Sequence, residues 1–190
     1  MKHLEFAVVD IETSGGKPKN SKIIEIAIII HNGQKIIDKF ESLVNPEKKI
    51  DWYVTKLTGI KDKHVINAPK FYEIAKKVYQ LLERRVFVAH NVSFDYPIVK
   101  NEFKALGLNL RLPHLCTIQS SRALIPNVES YGLKSLTKHL NIDLESHHRA
   151  MDDTLATAKI FEHIFNLDEN NLNTFIKQDT LPKKIIRKKY

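Results

Sequence analysis

Apolar positions gather along this chain in short runs whose spacing changes from strand-like to helix-like. Residues 4–11 and 23–30 are apolar runs that read as buried strands. A third strand covers 35–44, joined to the second through the hairpin turn His31-Asn32-Gly33-Gln34. Thr13-Ser14-Gly15-Gly16 opens a loop, Asn45-Pro46 closes the hairpin system, and a looser stretch centres on Leu57-Thr58-Gly59-Ile60. Phe71, Ile74, Ala75, Val78, Leu81 and Leu82 then recur at three-to-four spacing, which predicts a helix ended by Arg84-Arg85. Val86-Phe87-Val88-Ala89 is a short buried strand.

A helix follows from Ser93 as N-cap, with Pro97 in its first turn and Gly107 stopping it. Phe94, Ile98, Val99, Phe103 and Leu106 form its stripe. Further helices are predicted over 117–124, 133–140 and 150–165. Hairpins first, then alternating helix and strand, imply an α/β domain with a mixed sheet. The pattern weakens near Asn166, so residues 1–166 are expected to form the domain. Residues 167–190 then make a C-terminal extension or linker with a basic tail.

Charge adds little to the body. Of the net +8, the last eight residues supply five Lys/Arg and no acid, leaving +3 for the rest. That balance suits a polyanion such as nucleic acid, and a solvated tail equally. Cys116 is the only cysteine, which excludes an internal disulfide and a thiolate zinc cluster. The N-terminus is too acidic and its apolar run too short for a secretory signal. The longest apolar stretch, 23–30, carries Glu25 and is far shorter than a bilayer span. The expectation is a cytoplasmic protein with no membrane contact.

Acids placed among core-forming residues are the chemical signal. Asp10 and Glu12 sit two apart on a predicted strand, so both project from one face while Ile11 faces the opposite layer. Two carboxylates so close repel unless a cation holds them ionised; an exposed, hydrated strand end is the plain alternative. Asp95 falls in the first turn of its helix, where the helix dipole alone accounts for a carboxylate. His90 and Asn91 bracket a strand end, suited to a ligand or to backbone capping. His148 and Asp153 flank the start of the last helix, and His147 with Asp152 keeps the same offset, so spacing does not choose between the pairs. A histidine there can take a proton from water near neutral pH. Many carboxylates and no thiolate favour Mg²⁺ or Mn²⁺ over zinc.

Taken in order, Asp10-Ile11-Glu12-Thr13, His90-Asn91-Val92-Ser93-Phe94-Asp95 and His148-Arg149-Ala150-Met151-Asp152-Asp153 resemble the three motifs of the DnaQ-like, or DEDDh, family of 3′–5′ exonucleases. The resemblance runs from about residue 4 to 165 and includes Leu57-Thr58-Gly59-Ile60 and Tyr131-Gly132-Leu133-Lys134-Ser135-Leu136. Within the family the chain is similar to the proofreading exonucleases of bacterial DNA polymerase III. The resemblance implies a ribonuclease H-like fold, a mixed five-stranded sheet flanked by helices. It implies two Mg²⁺ or Mn²⁺ ions on Asp10, Glu12, Asp95 and Asp153, with His148, rather than His147, as general base. It places Glu12, Thr13, Leu57, His90, Asn91 and Phe94 around the last one or two nucleotides. Thr58 departs from the pattern, since many relatives carry histidine there.

The expected activity is hydrolysis from the 3′ end of single-stranded DNA, releasing 5′-mononucleotides in proofreading or repair. Expected partners are single-stranded DNA, then RNA, with a DNA polymerase or further domain beside them. The first alternative is an exoribonuclease of the same family, because 2′-OH discrimination lies in pocket details. A lesser one is a non-catalytic nucleic-acid-binding module, which would be expected to have lost a metal ligand.

Overall fold

Two strands buried on both faces fix the architecture. In the computed structural model, which describes residues 4–16, 21–144 and 148–180, β1 (Phe6–Thr13) lies at the centre of a five-stranded sheet. β2 (Ile23–His31) and β3 (Ile36–Leu43) continue it antiparallel on one side, with β3 as the half-exposed edge. β4 (Val86–Ala89) and β5 (His114–Cys116) continue it parallel on the other, giving the order β3-β2-β1-β4-β5.

Alternation along β1 sorts its side chains between two cores. Ala7, Val9 and Ile11 face α3 (Phe71–Leu82) and α4 (Val92–Ala105). Phe6 and Val8 face α7 (Ala150–Leu167), with help from α6 (Leu133–His139). The α7 face then changes character along the strand. Register pairs run Phe6 with His31, Val8 with Ile29, Asp10 with Ala27, and Glu12 with Glu25. An apolar base thus gives way to an acidic end. α7 is matched to that gradient. Phe161 and Phe165 pack on Phe6 at centroid distances of 4.6 and 5.8 Å, while Asp153, near its start, is buried beneath the acidic end. Ala156, Thr157 and Ala158 are small enough to bring the helix close to the sheet.

Three predicted details differ. The stretch expected to be loose folds as α1 (Trp52–Thr58) and α2 (Asp62–Val65), which pack Val54, Ile60 and Val65 on Ile24 and Ile50 as a small separate core. Helix α4 starts at Val92, not at a Ser93 cap. Asn91 precedes it in the left-handed conformation (φ +83°), which Asn tolerates better than most residues. Pro97 therefore falls inside the helix, in its second turn. The remaining predicted helices are present, with α5 at Thr117–Leu124.

Beyond residue 166 the chain stays packed through Asp179. α8 (Glu169–Thr174) buries Leu172 in the α7-side core, and Lys177 exchanges two backbone hydrogen bonds of 2.9 Å with His114 on the outer edge of β5. Asp179 accepts from the Tyr96 hydroxyl at 2.9 Å and pairs with Lys100. The basic tail, 183–190, lies outside the described residues.

Gly33 is fixed by geometry. Its φ is +90°, and a Cβ there would stand 2.7 Å from the Phe165 ring, which is itself held by Phe6 and Phe161. Gly33→Ala is expected to lower the unfolding free energy by at least about 1 kcal/mol. The change would appear as a lower urea midpoint with an unaltered m-value.

Candidate active site

One cleft of about 240 Å³ collects residues from four separate stretches of the chain. The C-terminal end of β1 contributes Asp10, Glu12 and Thr13, and the β4–α4 junction contributes His90, Asn91, Phe94 and Asp95. The loop before α7 supplies His148, and the helix itself supplies Asp153. Helix α1 closes the remaining side with Tyr53, Val54, Leu57 and Thr58. All the site residues expected from the sequence border this cleft. Asp152 does not, and His147 lies outside the described residues.

Local structure explains how each side chain arrives. Asp10 and Glu12 reach the cleft because they share the α7 face of β1. Asp95 comes from the other layer: the abrupt left-handed turn at Asn91 brings the first turn of α4 across the strand ends, and Asp95 is only 4% exposed. His148 is held in the left-handed region (φ +71°), a strained conformation for a non-glycine residue. Its backbone N–H donates to Asp153 Oδ2 at 3.0 Å, which ties the loop to the carboxylate below it. Ligand atoms of Glu12, His148 and Asp153 all lie within 4.8 Å of one another.

α1 is seated by the Gly15-Gly16 turn. A Cβ on Gly15 would stand 2.6 Å from Asp51 Oδ2, and one on Gly16 2.5 Å from the Tyr53 hydroxyl, so a side chain at either position would push those two groups aside. Asp51 N–H also donates to the Ser14 carbonyl at 2.9 Å. Thr58 spends its hydroxyl within the helix end. It donates to the Val54 carbonyl and accepts the Ile60 N–H, each at 3.0 Å. Leu57, half exposed, is the apolar side chain this helix offers at the rim. On the opposite wall, His90 Nδ1 lies 2.9 Å from Thr117 Oγ1, which fixes the ring.

So much negative charge in a partly dry cleft carries a clear electrostatic mark. Burial first, then Asp153, Glu25 and Asp95, push Glu12 up to about 8, while Arg149 pulls the other way. Asp95 is also pushed up to about 8, mainly by burial, with the backbone N–H groups of Asp95 and Ile11 drawing it back. Asp10 is raised well above the ordinary carboxylate range by burial and by Asp95, Glu12 and Asp153. Carboxyls that hinder one another's ionisation at neutral pH are a poor surface for phosphate, and a good one for a divalent cation. Four carboxylates with a histidine beside them form a hard-oxygen set suited to Mg²⁺ or Mn²⁺.

Two participants were not expected. Glu25, only 5% exposed, sits in register with Glu12 and receives Arg149 and the Ala150 N–H. Its signal was a lone charge within an otherwise apolar strand. Tyr53 carried no comparable signal, since its place at the cleft depends on α1.

The chain matches the exonuclease family over residues 7–161. It is 41% identical over 157 residues to the PolC-type DNA polymerase III of Caldanaerobacter subterraneus subsp. tengcongensis, covering 83% of this chain and 11% of that protein. It is 40% identical over 167 residues to the 3′-5′ exonuclease DinG of Bacillus subtilis, covering 86% of this chain and 18% of that protein. The chain thus spans less than a fifth of either relative. Among solved structures it resembles E. coli exonuclease I in complex with a dA16 oligonucleotide (TM-score 0.79, 18% identity, 90% of this chain and 42% of that one). It also resembles exonuclease X in complex with 5′ overhanging duplex DNA (TM-score 0.73, 24% identity, 91% and 97%). At these identities the likeness shows the fold, a ribonuclease H-like mixed sheet flanked by helices.

Proposed function

The chain belongs to the exonuclease family across residues 7–161, and on that footing we propose a metal-dependent 3′–5′ exonuclease that removes 5′-mononucleotides from single-stranded DNA. The observation carrying this reading is the convergence of Asp10, Glu12, Asp95, Asp153 and His148 on one cleft. A site that only bound nucleic acid would present cations, whereas four clustered carboxyls offer phosphate no positive charge. Its residues fit a pair of Mg²⁺ or Mn²⁺ ions held by Asp10, Glu12, Asp95 and Asp153.

When bound, such ions supply the positive charge that acidifies the attacking water and offsets charge building on the phosphate. The protein's own groups do the rest. His148 is placed to take the water's proton as its oxygen attacks phosphorus, and the bond to the 3′-oxygen of the preceding nucleotide breaks. Leu57 and Phe94 offer apolar surface to the terminal bases; Glu12, Thr13, His90 and Asn91 offer polar groups to sugar and phosphate.

Among the described residues no helix is long and apolar enough to cross a membrane. We place the protein in the cytoplasm, working in proofreading or repair beside a DNA polymerase or a further domain. The PolC-type relatives support that setting.

Labelled oligonucleotides with Mn²⁺ test the proposal. A 3′-label is expected to leave first as mononucleotide, a 5′-label to give a shortening ladder, and RNA of the same sequence to be trimmed more slowly. Faster trimming of RNA would replace DNA as the substrate. Tight binding without nucleotide release would make the chain a binding module.

A further inference from the structure

Glu25 lies next to the cleft and yet has no atom to spare for it. Its Oε1 accepts from Arg149 Nη2 at 2.8 Å and Nε at 3.3 Å. Its Oε2 accepts from Arg149 Nε at 3.3 Å and from the Ala150 N–H at 3.0 Å. Both oxygens are engaged, so Glu25 does not act as a further ligand for a cation. What it grips are the two residues that directly follow His148. The other side of the loop is held by Asp153, which takes the His148 N–H at 3.0 Å.

This clamp has a physical purpose. His148 occupies a left-handed conformation (φ +71°) that a histidine does not favour by itself, so its neighbours must be fixed for it to persist. A carboxylate on a central strand is a rigid anchor, and a forked guanidinium with a backbone N–H gives it contacts to both side chain and main chain. Glu25 adds repulsion to Asp10 and Glu12. An apolar residue opposite Glu12 would avoid that cost and could not hold the loop.

We propose that Glu25, through Arg149 and the Ala150 N–H, is a positioning residue that sets the imidazole of His148 against the reacting phosphate. The inference rests on the reading of His148 as proton acceptor. Its consequence is thermodynamic coupling: loss of Glu25 matters only while there is a histidine to aim.

The test is a double-mutant cycle of Glu25→Gln and His148→Ala, measured as kcat and KM for Mn²⁺-dependent trimming of a single-stranded DNA oligonucleotide. Glu25→Gln alone is expected to lower kcat by about 10- to 100-fold, with KM little changed. In the His148→Ala background it is expected to cost less than about twofold. Arg149→Gln, at a half-exposed position, should show the same pattern and serves if Glu25→Gln folds poorly. A purely structural role would carry the full loss into the His148→Ala background and would overturn the proposal, as would a normal kcat in both single variants. If His148→Ala itself trims at the normal rate, the proton-acceptor role fails and this inference falls with it. A slow His148→Ala with additive losses overturns the positioning role alone.

Discussion

Asp153→Ala is expected to reduce Mn²⁺-dependent nucleotide release by on the order of 10³-fold or more. Two functions of one carboxylate are removed together. Asp153 stands with Glu12 and His148 in a group whose ligand atoms lie within 4.8 Å, and it also accepts the backbone N–H that holds His148 in place. Asp153→Asn separates them, because the amide oxygen can still accept that hydrogen bond while the negative charge is gone. If collecting cations is the main role, Asn should be nearly as inactive as Ala, with an unfolding midpoint in EDTA no lower than that of the unaltered chain, since one repelling charge is gone. Near-normal trimming by Asp153→Asn would refute the ionic role and reduce Asp153 to a loop support. The assay is release of 3′-label from a single-stranded oligonucleotide.

The second large effect is on stability, and its sign follows from the raised carboxyls. In the unfolded chain Asp10, Glu12 and Asp95 ionise near pH 4. In the fold Glu12 and Asp95 are pushed up to about 8, and Asp10 is raised as well. Between those limits the native state binds more protons than the unfolded one, so stability falls as pH rises. With EDTA present, the midpoint of thermal unfolding should therefore drop from pH 5 to pH 8. Mn²⁺ binds the ionised form and should reverse the loss. At about 100 times its Kd it would add ~2.7 kcal/mol, a rise on the order of 5–10 °C for a domain of this size. The gain should be large at pH 8 and small at pH 5. Equal gains at both values, or none at either, would show that the acids do not share an ion. Asp10→Asn, with one carboxyl fewer, should flatten the EDTA curve.

The core could be read from local pattern, and acids stood out against it, but the choice of His148 over His147 and the set of lining residues came from the resemblance to a family. Asp10 and Glu12 interrupt an apolar strand, and alternation alone puts them on one face with Ile11 on the other. Asp153 falls beside the apolar stripe of its helix, a weaker signal than an interrupted strand. The elements that escaped reading are those whose stability comes from elsewhere. Helix α1 is seven residues long and opens with Trp, Tyr and Val, weak helix formers, so it exists by packing on Ile24 and on two glycines. Strand β5 spans three residues, too few to show a period. Pro97 was expected in a first turn, and the left-handed Asn91 caps α4 two residues before the expected Ser93. Glu25 was visible as a charge in an apolar run. Its partner, Arg149, lies 124 residues away in sequence, and no local pattern reports such a meeting.

The short stretch past α7 has a consequence for handling the protein. Lys177 satisfies the outermost ladder of the sheet at His114, and Leu172 plugs the core beside it. A version trimmed at the end of α7 would retain every group that faces the cleft. It would also expose a raw rim of amides and carbonyls, open to docking by a neighbouring copy. Loss of solubility in such a truncate would then reflect a missing guard on the sheet rather than damage to the chemistry.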